Sequence, residues 1–269
     1  MARAFEGTAA AARSRPVVWP GGLRRAAVPL AGVVSLLLLW QIAAWTAADA
    51  RLMPGPAIVF ARVLEEAVRG ELLFHLGATL GRVAAAFAVA MLVGIGLGVL
   101  MGRRRLLDEV GGPWLVFFLN LPALVTIVLC YIWIGLTESA AILAVAINKI
   151  PNVTVTIREG ARALDPRLAE MAEVFRVPQA KRLRHIVLPQ LYPYIAASAR
   201  SGLALIWKIV LVVELLGRPS GVGFEIALFF QFFDVAGILA YALAFIAVVQ
   251  AIEWILLQPL ERRARQWRS

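Results

Sequence analysis

Charged side chains sit inside otherwise apolar runs, among them the cations Arg82, Lys149, Arg200 and Lys208, and the anion Glu214. Charge at membrane depth is costly, and such residues either mark routes for ions and solutes or pair across helices. The chemistry open to them is binding rather than bond-making. Lys149 and Lys208 can offer an ammonium to an anion moving along a path, or can pair with an acid on a neighbouring helix. Lys208 and Glu214 are six residues apart, roughly 240° around a helix and about 9 Å along it, so they form no same-face pair. Asn120, Lys149, Trp207, Lys208 and Glu214 are the translocation-path candidates. Arg82 and Arg200 fall near the ends of their runs, where a long side chain can reach the interface. His75 and His185 are expected at that interface as well.

Bond-making chemistry finds little support. No run or loop gathers His, Asp, Glu and Ser into a set able to perform acid–base or nucleophilic steps, so no catalytic residue, cofactor or metal is expected. Cys130 is the single cysteine and forms no internal disulfide. The chain lacks a Gly-x-x-x-x-Gly-Lys-Ser/Thr phosphate loop, so any ATP-derived energy must come from a partner. Gly94, Gly96 and Gly98 follow no strand and do not make a dinucleotide loop; Gly94/Gly98 and Gly98/Gly102 read as small-xxx-small pairs that let helices approach. Asn152-Val153-Thr154 spells a glycosylation acceptor but lies inside an apolar run.

The elements that position these residues follow from composition. Of 269 residues, 61% are hydrophobic and 16% charged, against roughly 45–50% and 25% in soluble domains. The excess is concentrated in runs of about twenty residues, the length of a helical membrane span. Six spans are predicted: Val28–Ala48, Phe74–Met101, Pro113–Gly135, Ser139–Ile157, Tyr192–Leu216 and Val235–Leu257. Each must be helical, because lipid cannot satisfy backbone polar groups. The first run is too long for a cleaved signal peptide. The segment Gly217–Asp234 is broken by Gly217, Pro219, Gly221 and Gly223, and its apolar remainder is too short to span. It reads as a re-entrant or interfacial piece.

The net charge of +10 orients the chain rather than binding nucleic acid. The N-terminal tail holds five Lys/Arg, Gly102–Gly112 three, Arg158–Leu191 seven and the C-terminal tail four; the intervening segments hold four in all. By the positive-inside rule both termini and the long loop are cytoplasmic. The expected organisation is a cytoplasmic tail at 1–27, a transmembrane domain at 28–258 and a cytoplasmic tail at 259–269. The loop at 158–191 is the most informative stretch. Asp165-Pro166 is a helix start, with Asp as N-cap and Pro at the first helical position. Val177-Pro178 ends that helix, and a second, basic helix from Pro178 is predicted to stop near Leu188-Pro189.

This loop resembles the "EAA" signature of ABC importer permeases: Glu-Ala-Ala, three residues, Gly, nine residues, Ile-x-Leu-Pro. Here it is Glu170-Met171-Ala172, Arg176, and Ile186-Val187-Leu188-Pro189, with full spacing but Met171 for the first Ala and Arg176 for Gly. Met53-Pro54-Gly55-Pro56, Gly94–Gly98 with Met101-Gly102, Asp165-Pro166-Arg167-Leu168 and Trp207 with Glu214-Leu215-Leu216 resemble the nitrate/sulfonate/taurine/bicarbonate-type permeases. Asn120-Leu121-Pro122-Ala123 departs from their richer proline cluster. The resemblance implies an all-α polytopic membrane protein with a cytoplasmic coupling helix, set in a bacterial inner membrane. It implies alternating-access import of a small anionic or zwitterionic solute. The implied partners are cytoplasmic ATP-binding subunits, a periplasmic or lipoprotein substrate-binding protein, and a second permease copy in a homodimer. On the same basis Asp165, Ala169, Glu170, Met171, Ala172, Arg176, Ile186, Leu188 and Pro189 are the ATPase-coupling residues, with Ala169 and Ala172 allowing close approach. The alternative is a stand-alone secondary transporter; the inverted repeats it would need are not visible.

Overall fold

The computed structural model describes residues 23–47, 49–68 and 70–257, and every regular element among them is helical. The tails assigned to 1–27 and 259–269 lie, apart from the first residues of α1, outside the described residues. In chain order the helices are α1 (Leu23–Ala47), α2 (Pro56–Val68), α3 (Leu72–Arg103), α4 (Arg105–Asn120), α5 (Ala123–Ile134), α6 (Glu138–Arg162), α7 (Pro166–Val174), α8 (Gln179–Arg182), α9 (Leu188–Gly217), α10 (Val222–Gln231) and α11 (Val235–Ile252). By length and composition α1, α3, α6 and the helix from Val235 can each cross a bilayer, and α4 with α5 forms a bent fifth. At 30 residues, α9 is about 45 Å long; it is the helix that carries Arg200, Lys208 and Glu214.

Three expectations change. The third span is not one helix over Pro113–Gly135: α4 and α5 meet at 97°. Pro122 has no N–H to donate, and Leu121 before it is extended (φ −72°, ψ 122°), as a residue before proline prefers. The Gly102–Gly112 loop shrinks to Arg104, since α4 begins at Arg105. The second loop helix does not stop at Leu188-Pro189. From α8 the chain passes through a wide π turn, Leu183–Val187, straight into α9. There the Leu188 N–H bonds to the Leu183 carbonyl, five residues back, and this widened turn accommodates a proline that an ordinary α turn would exclude. Within Gly217–Asp234 the apolar remainder forms the short helix α10.

The bundle is organised around α3 and α6, which run parallel. Gly94, Gly98 and Gly102 oppose Val153, Ile157 and Ala161 in turn, at a constant offset along both helices. Without side chains at those three positions the backbones approach closely, which replaces the hydrophobic drive that lipid cannot supply between spans. In contrast, α9 lies antiparallel to α6, with Tyr194 over Gly160 and Lys149 over Gly202. Ile127, Tyr131, Ala144, Ile206, Val210, Val222 and Tyr241 fill the main core between α3, α5, α6, α9, α10 and α11. The helix α1 stays peripheral, with Leu36, Leu39 and Trp45 exposed and Trp40 Nε1 donating to the Pro54 carbonyl at 3.1 Å.

A Cβ at Gly98 would stand 2.7 Å from the Ile157 Cβ and 2.8 Å from the Thr154 carbonyl oxygen. Gly98→Leu is therefore expected to lower stability by about 1–3 kcal/mol through overpacking, while Gly96→Leu, where nothing lies within 4 Å, costs little. Thermal unfolding of the purified variants in detergent checks this ordering.

Candidate functional site

Two constellations stand at opposite ends of the bundle. At the end formed by the long loop, Asp165 caps α7: its Oδ1 accepts from the Arg167 N–H at 2.8 Å, and Pro166 is the first helical residue. The Asp165 N–H donates to Gln190 Oε1 at 2.9 Å, tying the start of the loop to the base of α9. The far end of α7 closes with paired bonds, Val177 N–H to Ala172 carbonyl at 2.8 Å and Arg176 N–H to Glu173 carbonyl at 2.9 Å. This is a Schellman cap, whose penultimate position takes a left-handed conformation that glycine adopts without cost. Arg176 occupies it at φ 47°, which is the physical reason the signature has glycine there. Asp108 of α4 pairs with Arg158 and Arg162 at the end of α6, bracing the same end.

The loop's surface differs from expectation. Ala172, expected as a close-approach contact, is 1% exposed and points into the chain, not outward. Ala169 is half-buried, Glu170 exposed, Ile186 half-buried and Pro189 exposed. The outward face is apolar: Met171, Val174, Phe175 and Leu183 are 44%, 77%, 75% and 51% exposed, and Leu188 is 42% exposed. The helix α7 thus turns an alanine inward and an apolar ridge outward. It brings together no groups that could make or break bonds.

At the opposite end a polar network is buried. Arg82 of α3 forks onto Glu138 at the start of α6, with Nε to Oε2 at 2.9 Å and Nη2 to Oε1 at 2.8 Å. Its Nη1 donates to Glu214 Oε1 at 2.7 Å and to the Ser220 carbonyl at 2.6 Å. Glu214, fully buried, also accepts from Thr79 Oγ1 and from the Gly223 N–H, both at 2.9 Å. Arg218 joins Glu138 from the other side. His75 Nδ1 accepts from the Gly221 N–H at 2.9 Å, so Nε2 holds the ring proton toward Glu225 and Glu71, at 3.2 and 3.3 Å. Burial pushes the Glu225 carboxyl up, with His75 opposing the rise. Gly221 turns at φ 111°, where a Cβ would run into the Glu214 carboxylate.

The network holds three of the singled-out side chains inside the protein. Arg82 and His75 are buried, at 6% and 2% exposure. Glu214 is held by Arg82, Thr79 and Gly223 and presents no oxygen to a solute in this conformation. His75, Thr79 and Arg82 were separable by sequence as one polar stripe, at spacings of four and three on a single helix face. Glu138, Arg218 and Ser220 had no comparable signal. Among the remaining path candidates, Lys208 is exposed on a groove of about 740 Å³ between α9 and α11. Trp207 lines that groove and meets Phe245 edge-on at 5.9 Å. Asn120 is exposed at the end of α4, its amide on the Val116 carbonyl at 2.7 Å. Lys149 is buried against Gly202.

A bundle of apolar helices, several of them long enough to cross a bilayer, defines a helical membrane protein. The chain belongs to the family described as the binding-protein-dependent transport system inner membrane component, whose model matches residues 90–265. It is 26% identical over 261 residues to the taurine transport system permease protein TauC of Escherichia coli (strain K12), covering 94% of each chain. It is 28% identical over 223 residues to the bicarbonate transport system permease protein CmpB of Synechococcus elongatus, covering 77% of this chain and 78% of that one. A solved structure of the MetNI methionine ABC transporter in inward-facing conformations shares the fold. Its TM-score is 0.62 at 15% identity, covering 75% of this chain and 98% of that chain. The chain is thus an ABC transport permease, not a stand-alone secondary transporter.

Removing one partner of a buried ion pair strands the other charge at about 3–5 kcal/mol. Glu214→Leu and Arg82→Met are each expected to abolish or sharply reduce folded protein. The double variant recovers part of the loss, and a double-mutant cycle on thermal unfolding measures how much. Additive losses would mean that the pair is not the organising contact.

Proposed function

We propose that this permease imports a small oxyanion or zwitterion, with energy supplied by an ATP-binding subunit that seats on α7. The observation that carries the coupling assignment is the exposed ridge of Met171, Val174 and Phe175 on a helix capped at both ends. A rigid, apolar, outward-facing helix transmits motion to α9 through Asp165–Gln190 and the π turn. The substrate class rests on the relatives named for taurine and bicarbonate, one a sulfonate and the other a carbonate oxyanion. Two copies working around a shared path, a binding protein on the face opposite the loop, and termini on the loop's side complete the reading. Arg-rich segments in the loop and the two tails support that orientation in a bacterial inner membrane. Asp165, Glu170, Arg176, Ile186, Leu188 and Pro189 then hold or flank the docking helix.

Val174→Asp with Phe175→Asp is expected to leave the permease folded and to abolish retention of its ATPase in a pull-down, because a charge in an apolar contact has no partner there. Full retention would remove α7 as the docking surface. Arg176→Gly keeps the complex and adds about 1 kcal/mol of stability by relieving the left-handed residue. Reporter fusions at the C-terminus and within Asp49–Leu73 are expected on opposite sides; a C-terminus on the outer side would reverse the orientation.

A further inference from the structure

One buried cation has no counter-ion among the described residues. Lys149 is the twelfth of the 25 residues of α6 and 3% exposed, and no described residue gives its ammonium a hydrogen bond or ion pair. Every other buried charge, Arg82 and Glu214 included, is multiply partnered. Its side chain lies across Gly202 of α9, where a Cβ would stand 2.6 Å from Lys149 Cε and 3.3 Å from Nζ. The glycine makes room for the lysine at this level of the seam.

A second unpartnered group lies one turn away on the same face of α9. Ser198 is 1% exposed and its Oγ has no hydrogen-bond partner. The antiparallel register puts it between the Gly202–Lys149 and Tyr194–Gly160 contacts. Beside Lys149, α6 carries Asn148, Asn152 and Thr156, half-buried and within an arc of about 100°. Asn148 and Asn152 each donate one amide hydrogen to the carbonyl four residues back, at 2.9 and 3.4 Å, leaving the other hydrogen uncommitted. An amide stripe beside an unpaired ammonium, in the middle of a span, is an unfilled set of donors with no acid among them.

We infer that Lys149, the Asn148 and Asn152 amides and the Ser198 hydroxyl form an oxyanion subsite at mid-membrane, on the α6–α9 seam. A carboxylate, carbonate or sulfonate supplies the negative charge and the acceptor oxygens that the seam lacks. A single cation suits transit: charge-assisted bonds are strong, yet one ammonium flanked by neutral donors releases its ligand more readily than an ion-pair cage. This deepens the proposed substrate class and rests on it for the identity of the cargo, not for the existence of the site.

The chain has only three lysines, Lys149, Lys181 and Lys208, so ε-15N-lysine labelling of the full-length permease in lipid nanodiscs resolves the site directly. Lys149→Met assigns the signal. Methanesulfonate is the probe, dimethyl sulfone its neutral isostere, and chloride the control for ionic strength. The expected result is a saturable shift of the Lys149 signal with methanesulfonate alone, about tenfold weaker in Asn152→Leu, the worth of one hydrogen bond to a charged group. A signal that ignores methanesulfonate, or answers all three additives alike, overturns the inference. An ammonium already paired with an acid of a second copy would give the first of these. Uptake of taurine and bicarbonate by the wild-type transporter separates the two readings. Absence of both fluxes defeats the proposed substrate class while the titration still stands; full flux in Lys149→Met defeats the subsite alone.

Discussion

A guanidinium without water dictates much of this architecture. Arg82 sits in an apolar helix and must be met by acceptors from its own protein, because a bilayer supplies none. The acceptors come from three places far apart in sequence: Glu138 on α6, Glu214 on α9 and the Ser220 turn before α10. Satisfying one side chain therefore fixes how three helices meet. Gly221 and Gly223 are required because the turn must pass directly over the Glu214 carboxylate, and the backbone amides there complete its shell. His75 and Thr79 extend the same shell along α3.

The other end of the bundle is built on a different logic. There the spans are pinned by backbone proximity, with Gly94, Gly98 and Gly102 letting α3 lie on α6, and by the Asp108 pair with Arg158 and Arg162. What projects beyond this rigid base is apolar and small: α7, braced by its N-cap and its Schellman cap. A left-handed arginine at the cap keeps the sharp turn at the expense of backbone strain. The same geometry recurs at the end of α10, where Phe233 takes φ 56° and Asp234 N–H reaches the Phe229 carbonyl at 2.9 Å. Among the described residues there are thus two non-glycine Schellman caps, one at each end of the bundle.

Between the ends lies the mid-membrane stretch of α6, whose polarity serves neither brace. Polar side chains that do not hold helices together, in a span that is not lipid-coated all round, are the ordinary signature of a solute route. The groove beside Lys208 and the seam beside Lys149 lie on different faces of α9, so in the proposed import an anion would meet them as separate stations rather than as one cage.

Much of the fold was legible without coordinates. Apolar run length alone predicts membrane helices, since lipid permits nothing else to span; Asp165-Pro166 marks the start of α7; and the glycine spacing on the second span announces a close helix contact. The family signature was legible because each of its positions has a local cause, an N-cap, a tight turn or a proline. The tertiary structure decided the rest. It turned Ala172 inward and Phe175 outward, bent the third span at Pro122, and carried α8 through Pro189 into α9. It also assigned Arg82 to Glu214 and left Lys149 without a partner among the described residues. Those outcomes depend on which helices are neighbours, and a pairing between residues 132 positions apart leaves no periodicity in the sequence to read.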